Sequence, residues 1–314
     1  MIENKDIIDR ARELSYQHFG REITFYLPGM ITYNGKKGKY PVISLTGNIC
    51  ELQCKHCNGR LLKSMISAIT PEELIIKCEK IKNEGNLGVL ISGGCDKFGK
   101  IPWKPFISAI KTIKDRFNLY ISVHCGIIDF ETALSLKEAG IDQALIDVIG
   151  NDDTLKKVYN LDCGIKTIED SLIVLKKADI LTIPHILIGL DYGNIIGEYN
   201  AIDIISRNKP DSIVFISLMN LTDTTMKKVR LPDPDAIADI MAYTRIKNPD
   251  IVMSLGCARE RGNYKIELAA IDCGINRIAI PSENVIKKAN ELGLKIIWAD
   301  TCCSVPVNKK RENK

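Results

Sequence analysis

The sequence predicts an α/β fold, a (βα)8-type parallel barrel carrying an N-terminal helix and hairpin extension. Strand-like and helix-like segments alternate from residue 42 to the C-terminus, the order that parallel βα units require. Ala139-Gly140-Ile141, Cys273-Gly274-Ile275 and Leu292-Gly293-Leu294 repeat one junction, in which a left-handed glycine caps a helix and the next residue returns to the sheet. At 314 residues the length is ordinary for one such barrel.

Residues 3–20 place Ile7, Ile8, Ala11, Leu14 and Phe19 at near-helical spacing, so the chain opens with an amphipathic helix. Ile23–Leu27 and Lys39–Ile43 flank Tyr33–Gly38, a hairpin or loop leading into the first barrel strand. No helix follows Gly35 and Gly38 closely enough for a phosphate cradle. Barrel strands are predicted at 42–46, 87–92, 119–124, 143–148, 182–188, 212–218, 250–255 and 276–280, with one more at 294–299. Helices are predicted at 71–84, 104–116, 130–139, 168–178, 198–207, 235–246, 260–272 and 282–292, and Pro71 after Thr70 is the clearest start. The expected organisation is an extension over 1–41, a barrel over 42–303 ending in a cysteine pair, and a basic tail over 304–314.

Net charge is +4 from 43 basic and 39 acidic side chains, and the one strongly basic run, Asn308–Lys314, is terminal, so no nucleic-acid partner is implied. The N-terminus lacks the apolar core of a signal peptide, and no apolar run approaches the roughly 18 residues of a membrane span. The expectation is a cytoplasmic protein without membrane contact. Eleven cysteines in that compartment are thiols or metal ligands rather than disulfides.

Cys50, Cys54 and Cys57 follow one another at spacing x3 then x2. Three thiolates at this spacing can hold three irons of a [4Fe–4S] cube and leave the fourth open to chemistry. A zinc site wants four ligands, usually from a second cysteine pair, and the sequence has no second CxxC. A disulfide would leave one of the three unpaired. The stretch Cys50-Glu51-Leu52-Gln53-Cys54-Lys55-His56-Cys57 resembles the signature of the radical S-adenosylmethionine (SAM) superfamily, CxxxCxxC in the loop after the first strand of a β/α barrel. The resemblance implies a [4Fe–4S] cluster on these cysteines, with SAM chelating the open iron. His56 stands where the family more often carries an aromatic ring against the adenine, and a flat imidazole can do the same.

Ser92-Gly93-Gly94-Cys95 matches the family's glycine pair that meets the methionyl amine, with Cys95 in place of a frequent acidic residue. The competing reading is that two glycines merely turn the chain. Asp147, near the end of strand 143–148, is the candidate for the ribose hydroxyls, against a helix cap or surface charge. Ile183–Leu190 resembles the strand that packs the adenine but lacks its first glycine, so Ile186 and Ile188 are expected in the core. His124 and His185 lie in apolar strand patterns and are expected to be satisfied core histidines.

Of the remaining cysteines, Cys78 reads as helix core, Cys273 as a small buried residue and Cys163 as a loop residue. Cys95, Cys125 and Cys257 each follow a predicted strand, and Cys302 and Cys303 follow the last one. The C-terminal ends of barrel strands form the catalytic face. Five thiols are therefore expected to converge there and to suit a second [4Fe–4S] cluster, against the alternative that they are small core residues. Arg259 and Arg261 could hold a substrate carboxylate or phosphate, or lie on a solvated helix start.

Over nearly the whole chain the sequence is similar to the biotin-synthase-related branch of the superfamily, and to subunits of the archaeal two-component lipoyl synthase. That resemblance implies reductive cleavage of SAM to a 5′-deoxyadenosyl radical, hydrogen abstraction from an unactivated carbon, and sulfur insertion from an auxiliary cluster. It also implies a reductant such as ferredoxin or flavodoxin, a paralogous radical SAM subunit and an acylated carrier protein as partners. Two other readings stand beside it: a radical SAM methylase, mutase or ring-forming enzyme without sulfur transfer, and a non-enzymatic iron–sulfur carrier.

Overall fold

The computed structural model describes residues 2–29, 32–33 and 35–307, so the basic run at 308–314 lies outside the described residues. Thirteen strands occur among them: β1 Glu22–Tyr26, β2 Thr32–Tyr33, β3 Lys36–Lys37, β4 Val42–Ser44, β5 Ile66–Ser67, β6 Gly88–Ser92, β7 Tyr120–His124, β8 Gln143–Val148, β9 Leu181–Ile188, β10 Ser212–Ser217, β11 Val252–Leu255, β12 Arg277–Ala279 and β13 Lys295–Ala299. Eleven of them form one sheet in the order β13-β1-β12-β11-β10-β9-β8-β7-β6-β4-β5, and every pairing is parallel. The eight predicted barrel strands are β4, β6, β7, β8, β9, β10, β11 and β12, and the ninth is β13.

Helices alternate with these strands because each crossover must return the chain to the same end of the sheet. The helix Pro71–Asn83 starts as predicted, with Thr70 accepting a hydrogen bond from the Glu73 amide and Pro71 in the first turn. Gly140, Gly274 and Gly293 have φ of 89°, 71° and 65°, the left-handed caps read from the sequence. The helix Asp152–Tyr159, which the sequence reading passed over, is capped by Asn151 on the Thr154 amide.

Ile23–Leu27 does not form an arm of a hairpin with Lys39–Ile43. β1 instead lies between β12 and β13, with Thr24 beside Arg277 and Ile297. Its apolar residues explain the difference, since Ile23 and Phe25 are buried in the main core while Tyr26 is buried in a second, inner cluster. A strand buried on both faces belongs inside a parallel sheet, not in an exposed hairpin. The small antiparallel pair is β2 with β3.

Alternation along the strands divides the interior into two layers. Ile121, Val123 and Cys125 face the helices in the main core, and Leu145, Ile183, Val214 and Ala279 line the lumen with Cys303. The chain after β13 turns back into that lumen. Ser254 Oγ and Arg277 Nη1 donate to the Cys303 carbonyl (3.1 and 3.2 Å), Gln143 Nε2 donates to Ser304 Oγ (2.9 Å), and Tyr26 Oη donates to the Val305 carbonyl (2.9 Å). Gln143 and Arg277 open their strands, so this segment reaches the N-terminal end of the lumen.

Candidate functional site

The loop between β4 and β5 carries Cys50, Cys54 and Cys57, and it is fixed from both sides. Glu51 N–H donates to the Cys95 carbonyl (2.8 Å), and Thr46 Oγ1 accepts from the Gly94 amide (2.6 Å), which tie it to the loop after β6. Lys55 N–H donates to the Val158 carbonyl (2.8 Å) and Asn160 Nδ2 to the Leu52 carbonyl (2.7 Å), which tie it to the helix after β8. The Asn58 and Cys57 amides both donate to the Cys54 carbonyl (2.7 and 3.1 Å), and this tight turn brings two thiols together. One ligand atom each from Cys54, His56 and Cys57 lies within 4.8 Å of the others. Cys54 and Cys57 share a hydrogen bond, which favours the Cys57 thiolate and raises Cys54; contact with His56 lowers Cys57 further.

A third connection comes from the far side of the mouth. In the loop after β10, Thr225 Oγ1 donates to the Lys55 carbonyl (3.3 Å) and Asn58 Nδ2 donates to the Asp223 carbonyl (3.4 Å). Arg60 pairs with the Asp223 carboxylate.

Cys50, Cys54 and Cys57 open into a cavity of about 200 Å³ whose wall includes Gly93, Gly94, Cys95, His124, Asp147 and Tyr159. Gly94 makes that approach possible, because a Cβ on it would stand 1.9 Å from the Ile49 carbonyl oxygen and 2.7 Å from Cys50 Cα. The His56 ring packs on Tyr159 with centroids 5.0 Å apart, and its buried Nδ1 has no hydrogen-bond partner. Asp147 Oδ2 accepts from Tyr159 Oη (3.1 Å), while His124 Nε2 stands 3.3 Å from Oδ1.

His124 and His185 are not isolated core histidines. Both face the lumen, their rings 5.5 Å apart. Burial alone would lower His124, but the Asp147 carboxylate raises it above the usual imidazole value. His185 is pushed down to about 4 by burial and by the His124 charge. Burial alone would raise Asp147, yet His124, His185 and Tyr159 hold its carboxyl well below the usual range.

The five later thiols do not converge. Cys95 stands beside the triad, where burial and the Cys50 charge push it up to about 12. Cys125 points to the helices and donates to the Leu145 carbonyl (3.3 Å), because it alternates with His124 and takes the opposite face. Cys257, Cys302 and Cys303 do share one region. Cys257 is exposed and lies near enough to Cys302 to feel its charge. Cys303 hydrogen-bonds Cys302, lowering Cys302 and raising itself, and Ser304 Oγ also donates to Cys302 Sγ (3.4 Å). Cys78 and Cys273 are buried as expected. Arg259 is sealed against Glu267 (2.6 Å) and the Gly256 and Ile280 carbonyls, so Arg261 alone of that pair stays open to a ligand.

A Cys125→Ala variant is therefore expected to lose about 1 kcal/mol of stability, the ordinary penalty of a small core deletion, and to bind as much iron as the wild type. Thermal unfolding and iron quantitation on one preparation check both halves.

Residues 44–195 match the family described as the Radical SAM superfamily. Those residues form a radical SAM domain. It is also 24% identical over 267 residues to a biotin synthase from Leptospira biflexa serovar Patoc, across 81% of this chain and 69% of that one, which supports the biotin-synthase-related branch. Among solved structures it resembles methylornithine synthase PylB (TM-score 0.66, 15% identity, 93% of this chain and 89% of that one). It likewise resembles the FeFe-hydrogenase maturase HydG from Carboxydothermus hydrogenoformans (TM-score 0.67, 14% identity, 93% and 72%). At those identities the likeness concerns the fold. A radical SAM domain implies a [4Fe–4S] cluster, SAM and a source of electrons. No helix among the described residues is long and apolar enough to cross a membrane.

Proposed function

We propose that Cys50, Cys54 and Cys57 hold a [4Fe–4S] cluster at which SAM is cleaved, and that the enzyme uses the radical for sulfur insertion at an unactivated C–H bond. The observation that carries this reading is the cavity shared by the three thiols and the Gly93–Gly94 turn, where only a residue without Cβ fits at Gly94. The residues suit the group: the thiols sit on one tight loop, the approach is by backbone, and His56 keeps an unpaired buried nitrogen. When bound, such a cluster supplies the electron that cleaves SAM to a 5′-deoxyadenosyl radical.

The protein's own work is placement and exclusion of water. Gly93 and Gly94 admit the methionyl end of SAM, and His56, backed by Tyr159, offers a flat face for the adenine. Asp147, the candidate for the ribose hydroxyls, lies in the same wall with its oxygens directed at Tyr159 and His124. Leu52, Leu62, Ile101 and Ile149 make the cavity apolar, and the loop after β10 fastens over the cysteine loop. Electrons come from a partner of the ferredoxin or flavodoxin kind.

Sulfur insertion draws support from the biotin synthase relative and from Cys302 and Cys303 in the lumen, with Cys257 close enough to feel their charge. These three are the proposed ligands of a second [4Fe–4S] cluster, while Cys95 and Cys125 are not needed for it. The substrate class is an octanoyl chain on a carrier-protein lysine, handled with a paralogous subunit as in the archaeal two-component lipoyl synthase. With Cys50, Cys54 and Cys57 all changed to alanine, anaerobic reconstitution is expected to leave bound iron and sulfide, and adding Cys302→Ala should remove them. Mass spectrometry of an octanoyl-lysine peptide incubated with SAM and reductant should then show sulfur added. A triple variant that takes up no iron would remove the sulfur-donor mechanism and favour a radical reaction without sulfur transfer.

A further inference from the structure

The lumen holds a second group of ligand-type side chains, distinct from the cysteine ligands, two of which, His124 and Asp147, also line the SAM cavity. His124 closes β7, Asp147 is the penultimate residue of β8, and His185 is its register partner on β9. Alternation turns all three to the lumen. One ligand atom from each lies within 4.8 Å of the others.

Their outer contacts are those of metal ligands. His185 Nδ1 lies 3.2 Å from the Ile183 carbonyl, and with Nδ1 as donor the Nε2 lone pair is left for a ligand. Tyr159 Oη donates to Asp147 Oδ2 (3.1 Å), which orients the carboxylate. Asp147 Oδ1 is buried without a hydrogen bond of good geometry. Backing of this kind by carbonyl and hydroxyl groups fixes ring and carboxylate orientation at metal sites.

We propose that His124, Asp147 and His185 bind a divalent first-row metal ion in the barrel lumen, at the wall of the SAM cavity and without using the iron–sulfur ligands. Two imidazoles and one carboxylate suit manganese, iron, cobalt or zinc and leave coordination positions open, whereas magnesium and calcium favour all-oxygen surroundings. Adjacent ligand atoms on such an ion stand about 3 Å apart. The open positions face the lumen, where an oxygen of a carboxylate or hydroxyl substrate can complete the sphere. A bare ion pair between His124 and Asp147 needs neither His185 nor a metal, and this separates the two accounts.

The test titrates Mn(II) into the anaerobically reconstituted full-length chain and reads free Mn(II) by room-temperature electron paramagnetic resonance. Mn(II) is chosen because oxygen and nitrogen donors suit it better than thiolates. One equivalent is expected to bind. His185→Asn and Asp147→Asn should each weaken binding on the order of 100-fold, and Tyr159→Phe about 10-fold, the usual range for an orienting partner. The triple alanine variant of Cys50, Cys54 and Cys57 should keep the Mn(II) while losing SAM cleavage, so this proposal and the radical one fail separately. Circular dichroism checks each fold, and His124→Asn gives a second reading of the same site. Absence of a stoichiometric Mn(II) site, or binding that survives His185→Asn and His124→Asn unchanged, overturns the proposal.

Discussion

Cys54→Ala is expected to abolish reductant-dependent release of 5′-deoxyadenosine from the anaerobically reconstituted protein. Cys54 is the middle ligand of the proposed set and the most buried of the three, and the turn that closes on its carbonyl presents its thiol beside Cys57. Alanine keeps that turn, whose hydrogen bonds are to backbone, but leaves two thiolates for a cube that requires three to retain one open iron. Chromatographic detection of 5′-deoxyadenosine, with the reductant-only reaction as baseline, measures the effect. Release equal to wild type would sink the assignment of this loop. Iron content should fall in parallel, which distinguishes a lost cluster from a misplaced SAM.

Gly94→Val is expected to be nearly as damaging, and for a reason that the sequence did not display. The glycine pair reads as a place where SAM approaches the backbone, which predicts weaker SAM binding with the cluster intact. Gly94 lies against the cysteine loop itself, where a Cβ on it would stand 1.9 Å from the Ile49 carbonyl oxygen and 2.7 Å from Cys50 Cβ. Even Gly94→Ala must displace that loop, so cluster assembly and SAM affinity should fall together. Gly93 is the cleaner probe, since a Cβ there meets Thr46 side-chain atoms at 3.4 Å and Ile101 Cγ2 at 3.6 Å, ordinary contacts. Gly93→Ala should retain iron, and equilibrium dialysis with labelled SAM should find any loss confined to affinity. Full iron loading in Gly94→Val would refute the close-approach argument.

The difference between these two glycines illustrates what a single sequence can and cannot carry. Covalent spacing makes the cysteine triad legible, because Cys50, Cys54 and Cys57 lie within eight consecutive residues and need no tertiary contact to meet. Strand and helix order is equally legible, since it follows from apolar runs, capping residues and glycine junctions that act locally. The second thiol group was half legible. Each of Cys95, Cys125, Cys257, Cys302 and Cys303 was placed after a strand, but position along the chain does not say which face a side chain takes. The alternation needed was present for β7, where Ser122 and His124 share one face and Ile121, Val123 and Cys125 the other, and a stricter reading of period two would have set Cys125 aside.

By itself, then, the sequence determined the parallel α/β architecture and the loop that holds three thiols, because both arise from patterns within a few residues of one another. Only the tertiary structure decided that β1 enters the main sheet, that Cys302 and Cys303 turn back into the lumen, and that His124, Asp147 and His185 meet across three neighbouring strands. Such encounters depend on register and on which face of the sheet is concave. Those are fixed by packing over the whole barrel rather than by any local preference of the chain.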